Sequence, residues 1–94
     1  MSIELIPKCE HCHQMGVSNG TFFEMVNTSA MVDIIGSQNT NDPVDVNSTD
    51  AKKCKTALSN WEPPEDWGGG GLRPEKMKEY FLEFFGSCDG FTTR

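Results

Sequence analysis

The stretch from Arg73 to Cys88 constrains this chain more than any other part of it. Pro74 suits the first helical position, and Glu75 suits the positive end of a helix dipole. Met77, Tyr80, Phe81, Phe84 and Cys88 recur at offsets of three and four, and Leu82 and Phe85 widen the same face. Glu75, Glu79 and Glu83 recur every four residues on the opposite side. This is the pattern of an amphipathic helix with its apolar stripe turned inward. An aromatic stripe of this kind is core material rather than a cofactor box. Gly86 and Gly90 are expected to end the helix, and Phe91-Thr92-Thr93 to return as an edge strand.

A strong core helix matters because the chain has little else to bury. Leu, Ile, Val and Phe number 19 of 94 residues, close to the ~20% below which disorder takes over. The length supports one domain, residues 1–94. Ile3-Glu4-Leu5-Ile6 reads as a short strand ending at Pro7. Asn19-Gly20 is a strong hairpin signal, and Thr21 to Val26 has the aromatic and β-branched content of a returning strand. Thr28 or Ser29 can cap a short helix through Ile35, closed by Gly36, with Met31, Ile34 and Ile35 facing inward. Residues 36–47 read as a polar loop turning at Asp42-Pro43. Asn47 or Ser48 then caps a helix whose apolar positions are Ala51, Cys54, Leu58 and Trp61. The fold class expected is α+β: a small antiparallel sheet built on an N-terminal hairpin, packed against two or three helices.

Four cysteines are the chemically distinctive residues. Cys9 and Cys12 form a C-x-x-C in Cys9-Glu10-His11-Cys12-His13. Two thiolates three positions apart on a tight turn reach one tetrahedral zinc. The second half of such a site is missing, so a closed shell needs His13 or His11 together with Cys54 or Cys88. The expected cofactor is therefore either none or zinc, with Cys9, Cys12 and His13 as candidate ligands. On the helix stripe, Cys54 reads more simply as a small buried hydrophobe. The same five residues spell C-x-x-C-H, the haem c attachment pattern, with Met31 or Met77 as a second axial ligand. Haem c attachment requires export. A thioredoxin-like role suits the pattern less, since there the C-x-x-C follows a strand and opens a helix.

Charge narrows the partners. Eight basic against fourteen acidic side chains give a net charge of −6, which argues against direct nucleic-acid binding. No apolar run approaches the ~18 residues of a membrane span. The first residues lack a basic region followed by an apolar one, so a cytoplasmic location is expected. The sequons at Asn19, Asn27 and Asn47 carry little weight in that setting. Lys52, Lys53 and Lys55 read as a solvated face or a small contact patch.

Catalytic frames are lacking. Both histidines sit inside the C-x-x-C turn, so no separate base is available for a cysteine nucleophile. A catalytic zinc would need a general base, and Glu10 and Glu24 are the candidates. The four glycines from Gly68 to Gly71 do not spell a phosphate loop. Trp61 and Trp67 flank a Pro-rich acidic loop. They read equally well as interaction residues and as loop anchors tucked into the core.

Several short motifs together resemble a scattered family of small bacterial and phage proteins. They are Ile3-Glu4-Leu5 before Cys9-x-x-Cys12, Asn27-Thr28 before Met31, Pro63-Pro64-Glu65-Asp66-Trp67-Gly68 leading to Leu72, and the aromatic helix ending near Cys88. His13 stands where that pattern more usually has Gly. The resemblance implies a bacterial, prophage or mobile-element origin and a cytoplasmic location, and it implies no activity. The function expected is a non-enzymatic protein–protein interaction role, as inhibitor, immunity or accessory protein. A structural zinc module on the Cys9-x-x-Cys12 turn is the alternative, and a haem c electron carrier the third reading.

Overall fold

A computed structural model describes residues 2–10, 12–68 and 71–94. His11 and, from the glycine run, Gly69 and Gly70 lie outside the described residues. The chain runs β1 (Ser2–Pro7), β2 (Met15–Ser18), α1 (Asn19–Thr28), α2 (Val32–Ile35), β3 (Asp45–Val46), α3 (Ser48–Ser59), α4 (Pro74–Ser87) and β4 (Phe91–Thr93). The strands form one antiparallel sheet in the order β2-β1-β4-β3. The α+β class is the one the sequence predicts.

The N-terminal hairpin exists, but not at Asn19-Gly20. It joins β1 to β2 across the cysteine turn, pairing Ile3 with Val17 and Leu5 with Met15. Asn19 and Gly20 instead open α1, and the strand expected over Thr21 to Val26 is helical. Two local features outweigh the turn signal. Ser18, in extended backbone at φ −67° and ψ 153°, accepts the Thr21 N–H on its hydroxyl at 3.3 Å. Phe22, Met25 and Val26 then fall at helical offsets of three and four, and all three are buried. Capping plus a helical stripe makes a helix start where a hairpin turn was expected.

The next helix is shorter than predicted. Thr28 ends α1, and the Ser29 hydroxyl accepts the Met31 N–H at 3.2 Å before α2 begins at Val32. Met31 is fully buried, whereas Ile34 and Ile35 are only partly so. Gly36 closes the turn at φ +83°, where a side chain is strained.

Residues 36–47 are not all loop, because Asp45–Val46 pair with β4. That pairing makes β4 a central strand rather than the expected edge. Leu5 and Pro7 of β1 face Thr93 and Phe91 on one side of it, and Val46 faces Phe91 on the other. A three-residue strand leaves no room for a strong pattern, so its neighbours decide its place.

Both long helices follow the sequence closely. The Asn47 side chain caps α3 by accepting the Asp50 N–H at 2.8 Å, and Ala51, Cys54, Leu58 and Trp61 are buried. In α4, Met77, Phe81, Phe84 and Phe85 are buried, with Cys88 as the C-cap. Two positions differ. Tyr80 is 46% exposed, because it lies more than about 80° from the centre of the stripe at 3.6 residues per turn. Gly86 lies inside α4 rather than ending it. A Cβ there would meet only the flexible end of the Lys55 side chain, 3.0 Å from its ammonium.

Phe81→Ala should lower stability by about 3–5 kcal/mol, the cost of an aromatic cavity in a sealed core. Tyr80→Ala should change it by less than about 0.5 kcal/mol. Urea unfolding of the two variants checks both.

Candidate functional site

Three of the four cysteines gather where the hairpin turn meets the end of α4. A helix leaves its last carbonyls without partners, and this turn supplies donors to them. The Cys88 carbonyl accepts the N–H of Lys8 at 3.2 Å and of Cys9 at 3.1 Å. The Ser87 carbonyl accepts the Cys12 thiol at 2.9 Å. The Lys8 N–H also reaches the Gly90 carbonyl at 2.9 Å, and the Lys8 ammonium pairs with Asp45 of β3. Within the turn, the Cys12 N–H donates to the Cys9 carbonyl at 3.3 Å.

The chain leaves α4 through two left-handed residues, Asp89 at φ 55° and Gly90 at φ 95°. A Cβ on Gly90 would lie 2.8 Å from the Val46 carbonyl and 3.1 Å from the Ser48 nitrogen. Only glycine fits there.

The four thiols differ sharply. Cys9 and Cys12 are half-buried, while Cys54 and Cys88 are sealed in the core. Burial pushes the Cys54 thiol from its ordinary 9.0 up to about 12, aided by the Asp50 carboxylate. Burial also raises Cys88, with smaller contributions from the charges of Asp89 and Cys9, and the Gly90 N–H opposes them. Cys12 is raised chiefly by hydrogen bonding to the Cys9 thiol, then by burial and by the charge of Cys9.

The candidate ligands are therefore divided. Cys9, Cys12 and Cys88 lie near one another, and His13 is exposed beside Cys12. Cys54 is a fully buried core residue of α3. His11 lies outside the described residues. Among the described residues, no group of three or more His, Cys, Asp or Glu side chains is arranged to hold a metal ion. Met31 and Met77, the axial candidates of the haem reading, are both core residues. Glu10 and Glu24, the candidate general bases, are exposed.

Trp61 and Trp67 turn out to be anchors. They are 9% and 3% exposed and meet edge to face at 5.0 Å. The Trp67 indole N–H donates to the Thr21 carbonyl of α1 at 2.9 Å. Neither ring offers an exposed contact, so the interaction role proposed for them in the sequence is corrected. Rings this large gain more from the core than from water. The surface left by their loop is polar. Glu62, Glu65, Arg73 and Glu75 line a shallow cleft of about 620 Å³.

A second cavity, of about 390 Å³, opens between the hairpin turn and α4. Cys12, His13, Met15, Tyr80, Glu83 and Phe84 line it. Sequence reasoning missed this groove, since Tyr80 carries the same signal as its buried neighbours. Among the described residues, no Lys or Arg lines it, and Glu83 is its one carboxylate. Among the described residues, no helix is long and apolar enough to cross a membrane. No protein-family profile, curated protein or solved structure matches this chain.

The Cys54 shift makes stability depend on pH at the alkaline end. The thiol stays protonated in the folded state while the unfolded thiol ionises near 9.0. Its contribution is full below pH 9.0 and is lost as pH rises toward about 12. Melting temperature should fall across pH 9–10.5, and Cys54→Ala should fall less steeply over the same interval. Thermal melts of both proteins in matched buffers decide this.

Proposed function

We propose that this chain is a small non-enzymatic binding protein, of the inhibitor, immunity or accessory kind found in bacteria, phages and mobile elements. Its docking surface is the groove between the hairpin turn and α4. The carrying observation is Tyr80: 46% exposed on a helix whose other aromatic rings are buried. Tyr is well suited to such a contact, with a large rigid ring and a hydroxyl that can stay wet. Met15 and Phe84 extend the apolar floor beside it.

The partner is a protein segment that presents an apolar side chain flanked by Lys or Arg. Glu83 on the groove and the net charge of −6 favour basic neighbours and disfavour acidic ones. An acidic protein of this kind competes with nucleic acid for a basic partner.

The test uses fluorescent peptides that place Leu or Phe between arginines, read by anisotropy at low and high salt. Binding should weaken as salt rises. Tyr80→Ala should lose at least about tenfold in affinity while keeping its melting temperature. Glu83→Lys should weaken binding and flatten its salt dependence. Failure of the wild-type protein to bind any such peptide at low salt overturns the proposal. So does a Tyr80→Ala protein that binds like the wild type.

A further inference from the structure

The hairpin turn holds two half-buried thiols within one backbone turn, and the fold's core needs neither. We propose that Cys9 and Cys12 form a reversible dithiol–disulfide couple, with Cys9 as the attacking sulfur and a small-molecule disulfide of the glutathione class as oxidant. Cys12 also lines the groove, and the couple needs no occupant there.

Turn geometry permits the bond. The Cys12 N–H donates to the Cys9 carbonyl at 3.3 Å, so the backbone closes an i to i+3 turn. Such turns bring their end Cα atoms within about 7 Å, and disulfides span about 4.4–6.8 Å.

The surroundings distinguish the two sulfurs. Cys9 borders a cavity of about 270 Å³ that it shares with Ser48, Ala51 and Lys52 of α3. Asp89 lines the same cavity, so an incoming glutathione disulfide meets one side chain of each charge sign there. Cys12 donates its thiol proton to the Ser87 carbonyl at 2.9 Å, which ties its sulfur to the end of α4. Cys54 and Cys88 are sealed in the core and serve as internal controls.

The exchange balances. Cys9 loses its proton to solvent, and its thiolate attacks one sulfur of the glutathione disulfide. The old S–S bond breaks, and one glutathione leaves as a thiolate that takes up a proton. Cys12 then gives up its proton, attacks the Cys9 sulfur of the mixed disulfide and expels the second glutathione. Two protein thiols are oxidised to one disulfide, and one small-molecule disulfide is reduced to two thiols. Cys12 can no longer donate to Ser87, so one tie between the turn and α4 is lost.

The full chain is equilibrated with graded ratios of reduced to oxidised glutathione, quenched and mapped by peptide mass spectrometry. A Cys9–Cys12 link should appear progressively as the oxidised fraction rises. Cys54 and Cys88 should alkylate only after denaturation. Cys12→Ser should trap glutathione on Cys9, and Cys9→Ser should react at least about tenfold more slowly. Both variants are checked for an unchanged circular dichroism spectrum. Where either is unfolded, the wild-type link map decides alone. The proposal is overturned by the absence of a Cys9–Cys12 link at every ratio, by a link to Cys88, or by trapping on Cys12. It is equally overturned if a co-purified zinc ion protects both thiols until a chelator removes it.

Discussion

A continuous run of aromatic contacts holds the parts of this small protein together. Trp61 meets Trp67 at 5.0 Å, Trp67 meets Phe81 at 6.0 Å, and Phe81 meets Phe85 at 5.9 Å. Phe85 then stacks on Phe91 of β4 at 5.4 Å. The run starts in the Pro-rich loop, follows α4 and ends in the middle of the sheet. Tilted and edge-to-face pairs of this kind add to the burial of the rings. A chain with so few aliphatic residues depends on them, because six Phe and two Trp supply the bulk that Leu and Ile supply elsewhere. The Trp67 indole extends the same network to α1 through Thr21.

That arrangement places the candidate site. Once Phe85 is pinned to Phe91, the end of α4 must lie against the sheet, and its free carbonyls point at the hairpin turn. The turn satisfies them with Lys8, Cys9 and Cys12. Packing of the core thus brings Cys88 to the Cys9–Cys12 turn, from which it is far removed in sequence. It also leaves Tyr80 outside, on the flank of α4, beside the groove. The proposed docking surface and the proposed thiol couple are two consequences of one packing decision.

The Tyr80 result shows how narrow the margin is between core and surface on one helix. Phe81 is fully buried and its neighbour is 46% exposed. Their side chains are similar in size, so composition does not separate them. The difference lies in which side of the stripe the sheet and α3 cover.

The sequence by itself determined the two long helices, their starts and most of the core. Pro74, Asn47 and the stripes from Ala51 to Trp61 and from Met77 to Cys88 are local signals, and local backbone chemistry obeys them. It also determined β1, where Ile3 and Leu5 alternate with less buried neighbours. Tertiary structure decided the rest. Asn19-Gly20 is the exception, a local conflict in which the Ser18 cap and the Phe22 stripe outweighed the turn signal. Phe91 to Thr93 became central only because Asp45–Val46 arrived on its far side. The C-x-x-C was visible from the start, yet its relation to Cys88 and Ser87 was not. Contacts between residues 75 or more positions apart carry no periodic signature, and only packing creates them.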